Sequence, residues 1–391
     1  MSIADVVLTP PGAVTPRWPA GEAVVFHSGP GGMLSHWILR RLLQERDLKV
    51  IYLGAGSDAA SSRRILAEDW SALGFGRLDL IERVEILPGA LDQPQLGLSA
   101  GDWEDLARRA DVLVHAGARI NMTEPYRKLR AANVLGVREM LRLCVHRKPK
   151  PMHAVGSFAI IDHSMADQEG LRVNEDTDLT SFQGLENGYR KSRWAADAVM
   201  RRAIGRGLPV TIHRMTPISG DSVEGIIDPG EIAWRVVRGM VASGAAPRSS
   251  RPLDLLPVDR VVEAMLTLAR DPEAAPVVHH ITGGEPLSWE TVADVLRSLG
   301  YRIETVQPPL WIERLKARAA ADPSDDSLGG LLPLANADGR DHRHLFTVDG
   351  VRTKARLAAL GMDLKSTDRE VLRKTVEYLI RGGFVPKPVY A

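Results

Sequence analysis

Residues 24–37, VVFHSGPGGMLSHW, join an apolar strand pattern to a helical pattern through a cluster of glycines. In such a unit, glycines allow a tight turn and a close approach of the backbone to phosphate oxygens, and the helix start adds aligned N–H groups. Gly29, Gly31 and Gly32 meet these needs, whereas Ser35 stands where a third glycine would let helix and strand pack closely. The stretch predicts a dinucleotide-binding turn; the alternative is a glycine-rich connection that binds nothing.

Short apolar runs alternate with longer helical patterns, which is typical of βαβ units and a parallel sheet. The predicted strands are Ala23–His27, Val50–Leu53, Val84–Leu87, Val112–His115, His153–Gly156 and Val210–His213. The predicted helices are Leu34–Gln44, Ser61–Leu73, Trp103–Arg109, Tyr126–His146 and Tyr189–Arg206. A further strand–helix–strand pattern lies in LDLLPVDRVVEAMLTLARDPEAAPVVHHITG. We therefore expect an α/β fold, a Rossmann-like doubly wound parallel sheet.

Beyond about residue 284, helices and long loops replace this alternation. We expect an N-terminal arm over 1–22, a Rossmann-like domain over 23–283, and a smaller, mainly helical substrate-side subdomain over 284–391. Residues 222–250 are expected to face the substrate as well. The irregular segment 318–345 is expected to line or cover the substrate entrance, because functional loops often lie there.

Charge and cysteine content exclude several classes of protein. The formal net charge of the 391 residues is +1, so nothing suggests a nucleic-acid partner, which would need a concentrated basic face. The single cysteine, Cys144, excludes a disulfide framework or a thiolate metal cluster and fits a reducing, cytoplasmic setting. No apolar stretch reaches the roughly 18 residues of a membrane span, and residues 1–22 lack the features of a secretory signal. His342 and His344 indicate a polar surface loop, so no metal is expected.

Three stretches carry a family resemblance: DVLVHAGARINMTEPYRKLRAANVLGVREMLRLC, LPGALDQPQLGLS and GYRKSRWAADAVMRRAIGRGLPVTIHR. Together with the glycine turn, they resemble the thioester reductase domains of nonribosomal peptide synthetases, polyketide synthases and carboxylic acid reductases. These domains are extended short-chain dehydrogenase/reductases. The resemblance implies an enzyme that takes an acyl or peptidyl chain from a carrier protein's phosphopantetheine thioester. It further implies NADPH as cofactor and an aldehyde or alcohol as product.

The resemblance also implies roles for particular residues. Ser157 matches the hydroxyl that holds the substrate oxygen, and Tyr189 matches the tyrosine that donates a proton. Where the family has lysine four residues after that tyrosine, this sequence has Arg193, which keeps the positive charge on the same helical face but not the lysine's shape. Lys191 points off that face and does not replace it. Asn133 matches an asparagine that supports the active-site helix.

For the cofactor, the resemblance implies contacts along the edge of the sheet. These positions are Gly29, Gly31, Gly32, Met33, Leu34, Arg63, Leu91, His115 and Ala116. Several family positions are altered: Ala55 replaces the arginine for the 2′-phosphate, and Ala90 replaces a carboxylate near the adenine. A motif Arg-Pro-Gly beside the nicotinamide reads Arg214-Met215-Thr216. The altered positions cluster on one ligand, so the sequence leaves open whether NADPH is still bound.

Three functions follow from these residues. The first is NADPH-dependent reductive release of a carrier-bound thioester as an aldehyde. The second keeps the carrier protein but releases the chain without reduction, by Dieckmann-type cyclisation at the same carbonyl. The third is a non-catalytic protein that docks a carrier domain, against which the presence of both Ser157 and Tyr189 argues.

Overall fold

A seven-stranded, all-parallel sheet forms the centre of the molecule. The computed structural model describes residues 17–162, 172–249, 252–271, 273, 277–321 and 347–388. The strands in chain order are β1 (Ala23–Ser28), β2 (Leu48–Gly54), β3 (Val84–Pro88), β4 (Val112–His115), β5 (Met152–Ser157), β6 (Arg172–Val173), β7 (Val210–Met215), β8 (Ile218–Ser219), β9 (Ala245–Pro247), β10 (Leu256–Pro257), β11 (Val278–Ile281), β12 (Glu304–Val306) and β13 (Thr347–Val348).

Helices cover both faces of this sheet. They are α1 (Met33–Leu43), α2 (Ala59–Ala72), α3 (Ala100–Arg109), α4 (Tyr126–Arg130), α5 (Gly136–Val145), α6 (Gly188–Ile204), α7 (Ile232–Ser243), α8 (Val258–Ala269), α9 (Trp289–Ser298), α10 (Pro308–Ala321), α11 (Val351–Ala359) and α12 (Arg369–Arg381). None of the helices in the described ranges combines the length and apolar character needed to cross a membrane.

The strand order is β3-β2-β1-β4-β5-β7-β11, so the direction of winding reverses between β1 and β4. Ligands of open α/β sheets bind in the crevice outside the carboxyl ends of the strands at such a reversal. Ser28 and His115, the last residues of β1 and β4, are register partners at this point. The expected Rossmann-like doubly wound sheet is confirmed, and its topology places the glycine turn at the crevice.

Both faces of the sheet are buried because helices cover them both. Successive side chains of a strand point to opposite sides, so neighbouring residues enter different hydrophobic clusters. Val25 and Val112 pack with α1 and α8 in one hydrophobic cluster. Their neighbours Phe26 and Leu113 pack with α3, α5 and α6 in the other. This explains why the strands read as continuous apolar runs rather than as an alternation of apolar and polar residues.

One predicted helix is interrupted. The sequence pattern predicts a continuous helix over Tyr126–His146, but α4 and α5 are separated by a wider π-type turn at Ala131–Leu135. Such turns occur frequently at functional sites, because the extra residue changes the direction of a side chain. The turn includes the buried Asn133, whose contacts are described below.

Segments outside the sheet pair with one another across long stretches of sequence. β9, from the 222–250 region, pairs in parallel with β12, and β8 pairs with β10. Helix α10 packs on α7, and α12 packs on α9. The division of the chain at residue 283 stays a prediction. Most of the N-terminal arm (1–16), His342, His344 and most of the 318–345 segment lie outside the described residues.

Three buried histidines form a row across neighbouring strands: His153 on β5, His213 on β7 and His279 on β11. Ring centroids are 5.7 Å apart for His153 and His213, and 5.4 Å apart for His213 and His279. Burial lowers the pKa of His153 to about 3 and that of His279 to about 4, and places that of His213 well below its usual range. All three rings are therefore neutral in the folded protein at neutral pH.

Because of these three buried histidines, we expect the folded protein to lose stability in mild acid. The folded-state pKa values lie below the unfolded value of about 6.5. The unfolded chain therefore binds more protons, and the stability present above pH 6.5 falls as the pH drops towards 4. Each histidine adds a slope of about 1.4 kcal/mol per pH unit. Urea unfolding at pH 7.5, 6.0 and 5.0 measures this. The double variant His153→Leu/His213→Leu should reduce the slope without abolishing it, because His115 and His280 are also buried with lowered pKa values. An unchanged slope in that variant would contradict the assignment.

Candidate active site

The glycine turn ends in an open helix N-terminus. Gly31 and Gly32 have φ of 73° and 93°, a left-handed region that favours glycine. Helix α1 begins at Met33, and no side chain in the described part of the chain caps its N-terminus. The first N–H groups of a helix need acceptors and carry the positive end of the helix dipole. The uncapped start of α1 is therefore suited to binding an anion.

Ser35 fits where a third glycine was expected. Its side chain is 2% exposed, and Oγ donates to the Gly29 carbonyl at 2.5 Å. The same Oγ lies 2.8 Å from Nε2 of His27, which must be the donor because the hydroxyl proton is already used. A Cβ on Gly29 would lie 2.4 Å from this Oγ, so Gly29 provides the space that the serine fills. The turn thus keeps close helix–strand packing without the third glycine.

Ser157 and Tyr189 lie on elements that are bonded to each other. Ser157 ends β5, and its Oγ accepts from the Ala159 N–H at 3.1 Å. Tyr189 is in the first turn of α6 and is 8% exposed. One turn later, Arg193 Nη2 donates to the Val155 carbonyl of β5 at 2.7 Å. Arg190 Nη2 donates to the Ile161 carbonyl at 2.6 Å. Helix α6 is therefore bonded to the backbone on both sides of Ser157.

Gly188, directly before Tyr189, permits this placement of α6. A Cβ on Gly188 would lie 2.2 Å from the Glu124 carbonyl oxygen and 2.4 Å from the Tyr126 nitrogen. Asn187 caps the helix by accepting from the Arg190 N–H at 2.9 Å. Sequence reasoning missed both roles, although asparagine before a helical pattern is a signal for an N-cap. The first turn of α6 is held by backbone contact, which sets the position of Tyr189.

Asn133 connects the loop after β4 to the same helix. Its Nδ2 donates to Ser192 Oγ at 2.9 Å, and Ser192 Oγ donates to the Tyr189 carbonyl at 2.8 Å. Its Oδ1 accepts from the Arg119 N–H at 2.7 Å. The π-type turn before α5 aims Asn133 into this space. The asparagine lies where the resemblance implies, as a support of the helix that carries Tyr189.

The Tyr189 phenol is held in its protonated form. Burial raises its pKa, the Arg193 charge lowers it, and the Glu231 charge raises it again. Glu231 precedes α7, and its own carboxyl has a raised pKa from burial and from the nearby Asp228. The Asp228 N–H lies 2.9 Å from Met33 Sδ, which places this loop beside the glycine turn. Sequence reasoning did not find Glu231 because it lies 42 positions from Tyr189.

Arg214, the first residue of the altered Arg-Pro-Gly motif, is buried inside the fold. It is 1% exposed, and its Nε and Nη2 each lie 2.9 Å from an oxygen of Asp197 on α6. Its Nη1 lies 3.2 Å from His280 Nε2. A guanidinium as fully buried as this one needs a carboxylate partner, because an unpaired buried charge strongly destabilises the folded protein. Arg214 therefore joins β7 to α6 inside the fold.

Three further cofactor-binding candidates, Leu91, His115 and Ala116, follow β3 or lie at the end of β4. Leu91 is buried, and its side chain lies 2.5 Å from where a Cβ on Gly117 would stand. His115 Nδ1 is 2.7 Å from Ser28 Oγ, and burial, followed by the Arg193 charge, lowers the pKa of His115 to about 3. A Cβ on Gly29 would be 3.3 Å from Ala116. His115 and Ala116 thus lie beside the glycine turn, and Leu91 packs against Gly117.

The residues present fit most of a nicotinamide dinucleotide. The uncapped start of α1 fits a pyrophosphate. At the other end of the crevice, Arg193 Nε and Thr216 Oγ1 are buried without a hydrogen-bond partner among the described residues, and they could meet a ligand's polar groups. The adenosine end of the crevice fits the cofactor less well. Arg63, which the resemblance places on the cofactor, instead donates to the backbone carbonyls of Ile81 and Val84. In the part of the chain that the structure describes, no group of His, Cys, Asp and Glu could hold a metal ion.

Comparison with known families gives one matching model. An NAD-binding family model described as "Male sterility protein" matches residues 28–265, more than half of the chain. The match begins at the last residue of β1 and ends within α8, so it spans the glycine turn, Ser157 and Tyr189.

Individual relatives and a solved structure extend the similarity to nearly the whole chain. A linear gramicidin synthase polypeptide of Brevibacillus parabrevis is 30% identical over 91% of this chain but only 7% of its own length. The L-2-aminoadipate reductase of Penicillium chrysogenum, in its large subunit, is 30% identical over 95% of this chain and 28% of its own. The crystal structure of the terminal R domain from the myxalamid PKS-NRPS pathway superposes with a TM-score of 0.88, 28% identity and 98% coverage of both chains. The chain therefore spans a small part of the curated relatives and nearly the whole of that R domain.

Proposed function

The chain belongs to the thioester reductase family of extended short-chain dehydrogenase/reductases, and on that premise we propose that it reduces an acyl or peptidyl thioester to an aldehyde. The observation that carries the proposal is the meeting of two features at one edge of the sheet. One is the uncapped start of α1 behind the glycine turn. The other is α6, which donates to the Val155 carbonyl of β5 and to the Ile161 carbonyl after Ser157, and which carries a buried and protonated Tyr189.

A reduced nicotinamide dinucleotide, when bound in the crevice, supplies hydride to the thioester carbonyl carbon. The hydroxyls of Ser157 and Tyr189 donate to the carbonyl oxygen and stabilise the negative charge that develops there. Tyr189 is suited to this because its phenol keeps its proton at neutral pH. Arg193 lies one helical turn behind the phenol, and its positive charge favours the tyrosinate if that proton is given up. Loss of the thiolate from the carbon then leaves the aldehyde.

We propose a carrier protein as the partner, with the substrate attached through phosphopantetheine. The support is the similarity to pieces of synthetases and reductases much longer than this chain. The family pattern implies NADPH as the reductant. Reduction is favoured over non-redox release by the relatives whose names include reductase.

The decisive experiment offers the purified chain an acyl-pantetheine thioester, or the same acyl group on a carrier protein, with NADH or NADPH. The expected result is an aldehyde formed in equal amount to the dinucleotide oxidised. A released or cyclised product without oxidation of dinucleotide would replace reduction by non-redox release. Binding of the loaded carrier protein without formation of any product would indicate a non-catalytic docking protein. Either result would overturn the proposed reduction.

A further inference from the structure

The adenosine end of the crevice distinguishes the two nicotinamide dinucleotides. NADPH differs from NADH by a 2′-phosphate of about two negative charges. In dinucleotide-binding sheets an arginine near the end of the second strand accommodates that phosphate, whereas a carboxylate there accepts a hydrogen bond from the 2′-hydroxyl. In this chain, β2 ends at Gly54 and is followed by Ala55, which is exposed and carries no charge.

Arg63 does not replace the missing cation. Its Nη2 donates to the Val84 carbonyl at 3.0 Å, and its Nη1 donates to the Ile81 carbonyl. These acceptors lie at the start of β3 and in the short helix before it. An arginine that turned to a phosphate would leave both carbonyls without this donor. Arg63 therefore joins α2 to β3 and is not free for a ligand.

The N-terminus of α2 is closed as well, in contrast to that of α1. Asp58 caps α2 by accepting from the Ser61 N–H at 2.7 Å, and Ser61 Oγ accepts in return from the Asp58 N–H at 3.1 Å. The hydrogen bond from Ser61 lowers the pKa of Asp58, so its carboxylate is ionised at neutral pH. A negative charge already occupies the position where a helix start would hold a phosphate.

Arg64 is a further cation beside this loop. Arg64 is exposed, and its Nε lies 3.8 Å from a Glu68 oxygen. Its charge also acts on Asp58. A solvated arginine that two carboxylates already attract adds little binding energy for a further anion, because exposed pairs are weak and screened by salt.

From these contacts we infer that the adenosine end accepts a 2′-hydroxyl in preference to a 2′-phosphate, so that the chain uses NADH rather than NADPH. The inference rests on the proposed function, since it concerns the dinucleotide of the same crevice. It differs from the NADPH that the family pattern implies. Three residues determine this specificity. Ala55 supplies no positive charge for a 2′-phosphate, and Asp58 places a negative charge at the start of α2. The Arg63 guanidinium is already bonded to two backbone carbonyls.

The test measures binding rather than turnover. Purified protein is titrated with NADH and with NADPH at fixed ionic strength, by calorimetry or by the shift in melting temperature. The expected result is tighter binding of NADH. Tighter binding of NADPH overturns the inference and leaves the proposed reduction intact. If neither dinucleotide binds at millimolar concentration, the reduction and the inference both fail.

The variant Ala55→Arg adds the charge that the loop lacks. A new charge-assisted hydrogen bond should strengthen NADPH binding about ten- to hundredfold and leave NADH nearly unchanged. The matched control is Ala72→Arg, which adds the same charge on the exposed far end of α2, about 20 Å along the helix. An equal effect of both variants would show a general charge effect and count against the site.

The variant Arg63→Ala tests whether this arginine is withheld from the ligand. Its loss should lower thermal stability and leave the ratio of NADPH to NADH affinity unchanged. A selective loss of NADPH affinity would place Arg63 on the 2′-phosphate and overturn the inference. Because the readout is a ratio measured on folded protein, partial destabilisation does not obscure it.

Discussion

Replacing Tyr189 by phenylalanine is expected to lower the rate of aldehyde formation by about a hundred- to ten-thousandfold, the usual contribution of a positioned proton donor. Phenylalanine keeps the buried ring of Tyr189 and removes its hydroxyl. The backbone contact between Ser192 Oγ and the Tyr189 carbonyl does not depend on that hydroxyl. The loss should therefore appear in turnover, while the melting temperature and the affinity for dinucleotide change little.

The matched control is Tyr378→Phe. Tyr378 lies on α12 and is half-buried, with no part in the proposed chemistry. The Tyr378→Phe variant should retain the full rate of aldehyde formation of the unmodified protein. If Tyr189→Phe kept more than about a tenth of that rate, the phenol would not be the proton donor. The same variant separates an enzyme from a docking protein, since docking does not need the hydroxyl.

Replacing Asp197 by alanine is expected to lower the free energy of unfolding by about 3–5 kcal/mol, because it leaves the Arg214 charge buried without a counterion. Arg214 is almost fully buried and has both Asp197 oxygens as acceptors. The neighbouring His280 cannot replace the carboxylate, because an imidazole carries no negative charge in either protonation state; burial lowers its pKa to about 4. Urea unfolding at neutral pH measures the loss.

Two further variants serve as controls for the Asp197→Ala measurement. Asp105→Ala removes a carboxylate from an exposed pair with Arg109, and the expected cost is below about 1 kcal/mol. The double variant Asp197→Leu/Arg214→Met removes both buried charges and should recover much of the lost stability. A loss for Asp197→Ala no greater than that for Asp105→Ala would mean that Arg214 reaches solvent.

The sequence predicted the class of fold and most of its elements, because these depend on local patterns. β4 has the predicted bounds, Val112–His115, and α3 ends at the predicted Arg109. The glycine cluster identified the turn at the reversal of strand order. Ser157, Tyr189 and Asn133 were found by resemblance, and the structure places them on connected elements, while their catalytic roles stay predictions. The wider turn around Asn133 was missed because one extra residue hardly disturbs helical periodicity.

By itself, the sequence determined the strands of the central sheet, most of the helices between them, and the glycine turn that follows the first strand. Only the tertiary structure decided which partners the charged side chains take. Arg214 pairs with Asp197, Arg63 donates to two backbone carbonyls, and the Glu231 charge acts on Tyr189 from a separate loop. The physical reason is that periodicity sets the face on which a side chain lies, whereas its partner depends on distances between segments far apart in the chain. Those distances are set by how the helices pack on the sheet.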